Sequence, residues 1–188
     1  TDDSEDKALA DYNKILEIDP TCSDIYKERA EVYSSKEEYD KALADYNKAL
    51  QFIKDKYDEV FLYIQRSLTY YGMKDYEAAF SDANKAIEVA EASGECKDSA
   101  YSNRGQLYRM RKQYDKAIPD MNLAVELSKD TMASYYYRRG ETYEEMGLID
   151  KARADYNKIL TFEKNTSNSL YQEWSQENLD RLRYTNAK

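Results

Sequence analysis

Arginine and aspartate recur in this sequence at one separation. Arg29 precedes Asp45, Arg66 precedes Asp82, Arg104 precedes Asp120 and Arg139 precedes Asp155, each by sixteen residues. Two antiparallel helices joined by a short turn bring such residues together. The four pairs are therefore predicted as structural ion pairs, partly buried and charge-assisted. An Asn follows each Asp by two residues (Asn47, Asn84, Asn122, Asn157) and is expected to close hydrogen bonds at helix ends or between repeats. An arginine ladder reading an acidic ligand is the functional alternative, but the regular Asp partners favour architecture. Catalytic chemistry finds little support. The 188 residues contain no His, which removes the commonest acid–base group and the commonest metal ligand. There is no Gly-rich phosphate loop, paired-Cys metal motif or alternating acidic calcium loop. Carboxylates are plentiful, yet an Asp that returns in every unit suits a scaffold better than a single active site. The expectation is a protein that is not an enzyme, with no catalytic residue, no metal and no cofactor.

The elements that place these residues follow from the repeat itself. Tyr26, Tyr63, Tyr101 and Tyr136 stand three residues before the repeated Arg, and Tyr33, Tyr70, Tyr108 and Tyr143 stand four after it. Tyr39, Tyr76, Tyr114 and Ile149 follow, then Ala42, Ala79, Ala117 and Ala152. An earlier half unit carries only the second part: Ala8, Asp11-Tyr12-Asn13, Ile15 and Pro20. Spacings of three and four within each half are those of one helix face. Small residues mark close helix approach and large ones fill the gaps. Five Gly and two Pro among 188 residues leave few tight turns for a sheet. Helices are predicted over 4–18, 24–36, 39–54, 57–71, 75–92, 97–110, 114–128, 131–146, 149–163 and 168–184. Ser4 is a weak N-cap candidate, Asp58 and Asp75 favour helix starts, and Gly72, Gly94 and Gly147 fall at connections. In the last segment Leu170, Trp174, Leu179 and Leu182 form one face, with Tyr171 beside it. The domain reading is a single array over 1–188: half repeat 4–22, repeats at 23–56, 60–96, 98–130 and 133–165, and a C-terminal capping helix at 166–188.

With Tyr26, Ala30, Tyr33, Ala42, Tyr46 and Ala49 in the first full unit, and the same steps in the next three, the sequence resembles the tetratricopeptide repeat family. Arg29, Arg66, Arg104 and Arg139 stand where that family often has Leu, a trait of bacterial-type members with a Tyr-x-Arg-Gly unit. The resemblance implies an all-α, right-handed superhelical solenoid of antiparallel helix pairs. It also implies a non-enzymatic scaffold that binds a protein or peptide along the face lined by the first helix of each pair. By repeat phase, the candidate peptide-binding residues are Lys27, Phe61, Ile64, Gln65, Leu68, Asn103, Gln106, Arg109, Tyr137 and Arg138. Glu31, Ser102, Ser134 and Glu141 lie beside them. Ile64 and Leu68 offer an apolar centre and the amides offer backbone hydrogen bonds. The family's clamp for chaperone-tail carboxylates is not matched, since Lys27 is followed by Glu31, Gln65, Ser99 and Asn103 at the other clamp positions.

The formal charge of -9, from 37 acidic and 28 basic residues, disfavours nonspecific binding to nucleic acid. No run of apolar residues is long enough for a membrane span. The expected partner is a protein or peptide, and self-association into homo-oligomers through the ends, or through the outer edge carrying Tyr57 and Tyr71, is the alternative. Cys22 and Cys96 are expected to remain reduced. The chain lacks an initiating Met, which is read as an N-terminal truncation. Localisation is left between cytoplasm and bacterial cell envelope.

Overall fold

The computed structural model describes residues 2–129, 131–163 and 166–183. Among these residues there are ten helices and no strand. The chain divides into two compact units, 1–96 and 97–188. The first unit holds α1 (Asp2–Ile18), α2 (Ser23–Ser35), α3 (Tyr39–Phe52), α4 (Lys56–Gly72) and α5 (Tyr76–Ser93). The second holds α6 (Lys97–Met110), α7 (Tyr114–Leu127), α8 (Ala133–Glu145), α9 (Ile149–Leu160) and α10 (Thr166–Arg183). Each helix packs on its sequence neighbour within a unit, and the first helices of adjacent pairs also touch, α2 with α4 and α6 with α8. The predicted ends at 130, 165, 184 and 188 lie outside the described residues.

Small residues let the paired helices close. In the first unit Ala30, Ala42, Tyr46, Ala49 and Leu62 form a buried cluster. In the second, Ala133, Tyr136, Ala152, Tyr156, Ile159, Leu179 and Leu182 belong to a larger one. Apolar burial of this kind is the main favourable term in folding.

The turn inside each pair repeats one geometry. Glu37, Lys74, Lys112 and Gly147 all have positive φ, between 56° and 75°. The next amide donates back across the turn: Glu38 to Tyr33 O (2.8 Å), Asp75 to Tyr70 O (3.0 Å), Gln113 to Tyr108 O (2.9 Å) and Leu148 to Tyr143 O (2.8 Å). This left-handed helix ending satisfies carbonyls that a helix terminus leaves open. Three of the four turns make it without glycine. At the starts, Asp55 accepts from the Asp58 amide and Asp75 from the Ala78 amide, each at 3.1 Å. Ser4 lies inside α1 rather than capping it.

The last helix corrects one expectation. Leu170 and Trp174 are exposed, while Gln172, Ser175, Leu179 and Leu182 are buried. The Gln172 amide donates to Ile159 O (3.3 Å) and Phe162 O (2.8 Å) at the end of α9. A polar residue is buried there because it donates to the Phe162 carbonyl past the helix end and adds a second donor at that of Ile159, which also accepts from the Phe162 amide at 3.2 Å.

Candidate peptide-binding surface

The first helix of each pair presents one side to its second helix and the other to solvent. On the packed side, Arg29 Nε and Nη2 reach Asp45 at 2.6 and 2.7 Å. Arg66 reaches Asp82 at the same distances. Arg104 reaches Asp120 at 2.7 and 2.9 Å, and Arg139 reaches Asp155 at 2.9 and 2.7 Å. All are two-pronged, the strong form of a charge-assisted bond. The remaining Nη1 turns to the preceding pair: Arg29 to Asn13 Oδ1 (2.6 Å), Arg66 to Asn47 (2.5 Å) and Arg139 to Asn122 (3.0 Å).

Tyrosines flank the guanidinium. Arg139 lies 5.2 Å from the Tyr136 ring centre and 6.0 Å from that of Tyr143. Arg66 sits likewise between Tyr63 and Tyr70, and Arg29 between Tyr26 and Tyr33. Cation–π attraction thus adds to the ion pair. Tyr33, Tyr70, Tyr108 and Tyr143 are all half-buried at equivalent places. Sequence reasoning treated the tyrosines as gap fillers. Their steps of three before and four after each Arg, which put all three on one helix face, carried the signal.

On the outward side of the first unit, the Gln65 amide lies 3.5 Å from Glu31 Oε1. The Phe61 ring lies 4.8 Å from the tilted ring of the exposed Tyr57. Leu68 is exposed but Ile64 is buried, so Leu68 and Phe61 carry the apolar surface. Lys27 is half-buried on α2.

In the second unit, Arg109 binds two carboxylates of α8: Glu141 at 2.8 Å and Glu145 at 2.8 and 3.0 Å. Ser102 and Asn103 are buried behind this face. A cavity of about 490 Å³ opens beside Arg109, lined by Gln106, Met110, Lys112, Tyr114 and Glu145. Gln106 Oε1 is buried without a hydrogen-bond partner. Further along α8, the Tyr137 ring lies 5.6 Å from the tilted rings of Tyr171 and Trp174, and its hydroxyl accepts from Asn178 (3.2 Å). Arg138 and Ser134 are half-buried nearby on the same helix. Met110, Tyr114, Glu145 and Tyr171 border this face but were not among the candidates; Trp174, which also borders it, had a partner-binding role only as the alternative to capping. They come from helix ends, a second helix and the final helix, which first-helix phase does not reach.

Burial pushes the Glu141 carboxyl above the ordinary glutamate range, against the pull of Arg109. A raised value in the folded state means that ionising Glu141 costs stability as pH rises through its titration. Carbon-detected NMR of the side-chain carboxyls should show Glu141 titrating above an ordinary glutamate. Replacing Arg109 with Met should move it higher still, because burial and the neighbouring Glu145 charge then act without their main opponent.

Helix pairs of one design, tied by recurring Arg–Asp pairs and leaving their first helices partly open, define a helical-repeat interaction scaffold. Sequence models of the family described as tetratricopeptide repeat match residues 21–92, 58–130 and 133–166, and the chain belongs to that family. No curated protein matches the chain significantly. Among solved structures it is similar to MamA, at 20% identity over 94% of both chains and a TM-score of 0.63. It is also similar to a tetratricopeptide repeat protein from Parabacteroides merdae, at 25% identity over 100% of this chain and 74% of that one, with a TM-score of 0.69. YrrB, described as a tetratricopeptide repeat protein with an unusual peptide-binding site, is 22% identical over 92% of this chain and 84% of its own, with a TM-score of 0.57. The fold is thus the all-α solenoid of antiparallel helix pairs. Among the described residues no helix is long and apolar enough to cross a membrane.

Proposed function

We propose that the chain is a non-enzymatic scaffold that binds an extended segment of a partner protein along the outward side of its first helices. The observation that carries this is the unspent Gln106 carbonyl beside an open cavity of about 490 Å³. A buried acceptor without a donor is costly, and turning the Gln106 side chain into the cavity would bring its carbonyl to a peptide N–H. Met110 gives an apolar wall, and Arg109, Glu145 and Lys112 give charges of both signs at the rim. Tyr137 and Arg138 extend the proposed contact along α8, whereas Asn103 is too buried to join it. Lys27, Phe61, Gln65 and Leu68 form the corresponding proposed surface of the first unit, with Ile64 buried beneath it.

Selection of peptides from a displayed random library against the whole chain tests the reading. Selected peptides should lose about two- to tenfold in affinity with Gln106→Met, the worth of one hydrogen bond, while helicity stays unchanged. Peptides that bind the Gln106→Met and Lys112→Ala variants as well as the parent would sink it. Self-association is the second reading, favoured by the exposed Tyr57, Leu170 and Trp174. It predicts mass that grows with concentration in sedimentation.

A further inference from the structure

We propose that the aromatic face shared by α8 and α10 takes a proline-rich stretch of the partner in the polyproline conformation. This rests on the reading that the chain binds an extended partner segment, and it names the chemistry of one part of that segment.

Three rings meet on this face. Tyr137 of α8 lies 5.6 Å from both Tyr171 and Trp174 of α10, at interplanar angles of 51° and 48°. Tyr171 and Trp174 stand 5.4 Å apart and perpendicular, at 89°. A spacing of three puts Tyr171 and Trp174 on one side of α10. Trp174 is 38% exposed, and the exposed Leu170, one turn earlier, lengthens the apolar strip. Asn178 holds the Tyr137 hydroxyl at 3.2 Å. Perpendicular rings set a face beside an edge, a step against which a compact, rigid pyrrolidine ring packs.

The hydrogen-bonding inventory selects the backbone of the occupant. The charges of Glu141 and Glu144 act on Tyr137, but both carboxylates are spent. Glu141 binds Arg109 at 2.8 Å. Glu144 binds Arg181 at 2.6 Å and the Tyr156 hydroxyl at 3.2 Å. The Asn178 carbonyl accepts from Arg181 at 2.9 Å. Donors remain. The Trp174 indole N–H meets no acceptor among the described residues, and the Tyr137 hydroxyl, which accepts from Asn178, keeps its own proton to give. A strand laid here would set its amide N–H groups against spent acceptors, and a helix has its carbonyls committed internally. A proline-rich segment offers open carbonyls, few N–H groups and no internal hydrogen bonds. It is also ordered before it docks, so binding costs it little conformational entropy.

The probe is a capped oligoproline of about ten residues, roughly three turns of the polyproline helix. A capped Gly/Ser peptide of equal length is the control. Each is titrated into the isotope-labelled whole chain. Trp174 is the only Trp, so its indole N–H gives a single signal. Oligoproline should move that signal downfield and saturably, with the amides of Tyr137 and Tyr171 following, and the control should not. Trp174→Phe keeps a ring and loses the donor. It should weaken binding about two- to tenfold, read at Tyr137 and Tyr171. Trp174 is exposed, so this change should leave the circular dichroism as it was. An unmoved indole signal, an equal response to the control, or shifts centred on Gln106 and Arg109 would each overturn the proposal. So would an indole signal that moves with chain concentration alone, which assigns the face to a second copy. Library-selected peptides that depend on Gln106, with oligoproline leaving Trp174 unmoved, would sink this inference and leave the groove reading standing.

Discussion

Replacing Arg139 with Met is expected to destabilise the second unit by about 3–5 kcal/mol, the cost of stranding a buried charge. Asp155 is 5% exposed and would lose both of its guanidinium donors. Arg139 keeps 16% of its side chain in water, which pulls the expected loss toward the lower end of that range. The same change removes the Nη1 bond to Asn122 and the cation between Tyr136 and Tyr143. The pH dependence identifies the mechanism. Burial already pushes the Asp155 carboxyl up, and Arg139 opposes that shift. Without Arg139 it rises further. A carboxyl raised above its unfolded value costs stability once it ionises, and the cost is relieved as pH falls through its titration. The gap between Arg139→Met and the parent, read from urea denaturation, should therefore narrow in mild acid. The double change Arg139→Met with Asp155→Leu should lose less than Arg139→Met alone, since no charge is left stranded. A gap that ignores pH would show that the ion pair is not its source.

Tyr156→Ala should cost about 3–5 kcal/mol, in the range of deleting a large core side chain. Tyr156 is 0% exposed within the main cluster of the second unit. Its ring lies 5.8 Å from that of Tyr137 and close under α8, where a Cβ on Gly140 would meet Tyr156 Cε1 at 2.7 Å. Backbone and ring on both sides leave little freedom to collapse into the space vacated. The hydroxyl donates to Glu144 at 3.2 Å, and burial raises its pKa, so it remains protonated. Tyr156→Phe, which removes that bond alone, should cost only about 0.5–1.5 kcal/mol. Denaturant titration of both variants separates ring from hydroxyl. An Ala variant no weaker than the Phe variant would mean that the ring does not hold the unit together. The same repeat position is Ala83 in the second pair and Met121 in the third, so the packing solution differs from pair to pair although the backbone plan is shared.

The helices were legible because apolar and small residues keep helical spacing through four full units. α4, expected over 57–71, spans Lys56–Gly72, and α6 matches its expected bounds at both ends. The turns were less legible. Gly94 and Gly147, expected at connections, do take positive φ, but Glu37, Lys74 and Lys112 take the left-handed conformation without glycine, held by the amide bond back to the repeated Tyr. That information sits in the whole repeat, not in the turn residue. The packed side of α10 was misread because hydropathy favours Leu170 and Trp174. The carbonyls at and just past the end of α9 instead select Gln172, a preference that appears only when two helices meet. The outward surface was legible as a set of positions. Which of them hold unspent hydrogen-bonding capacity was not, because Gln106 and Asn103 look alike in sequence and differ only in what surrounds them.

The three-way grip of Arg29, Arg66 and Arg139, with two prongs to an Asp and one to an earlier Asn, staggers the energetic unit against the sequence unit. Each such arginine is a rivet through two plates, and removing it should loosen the pair behind as well as its own. Unravelling within a unit would then spread by nearest-neighbour coupling, and amide exchange in the preceding pair would register the loss of a side chain that does not belong to it.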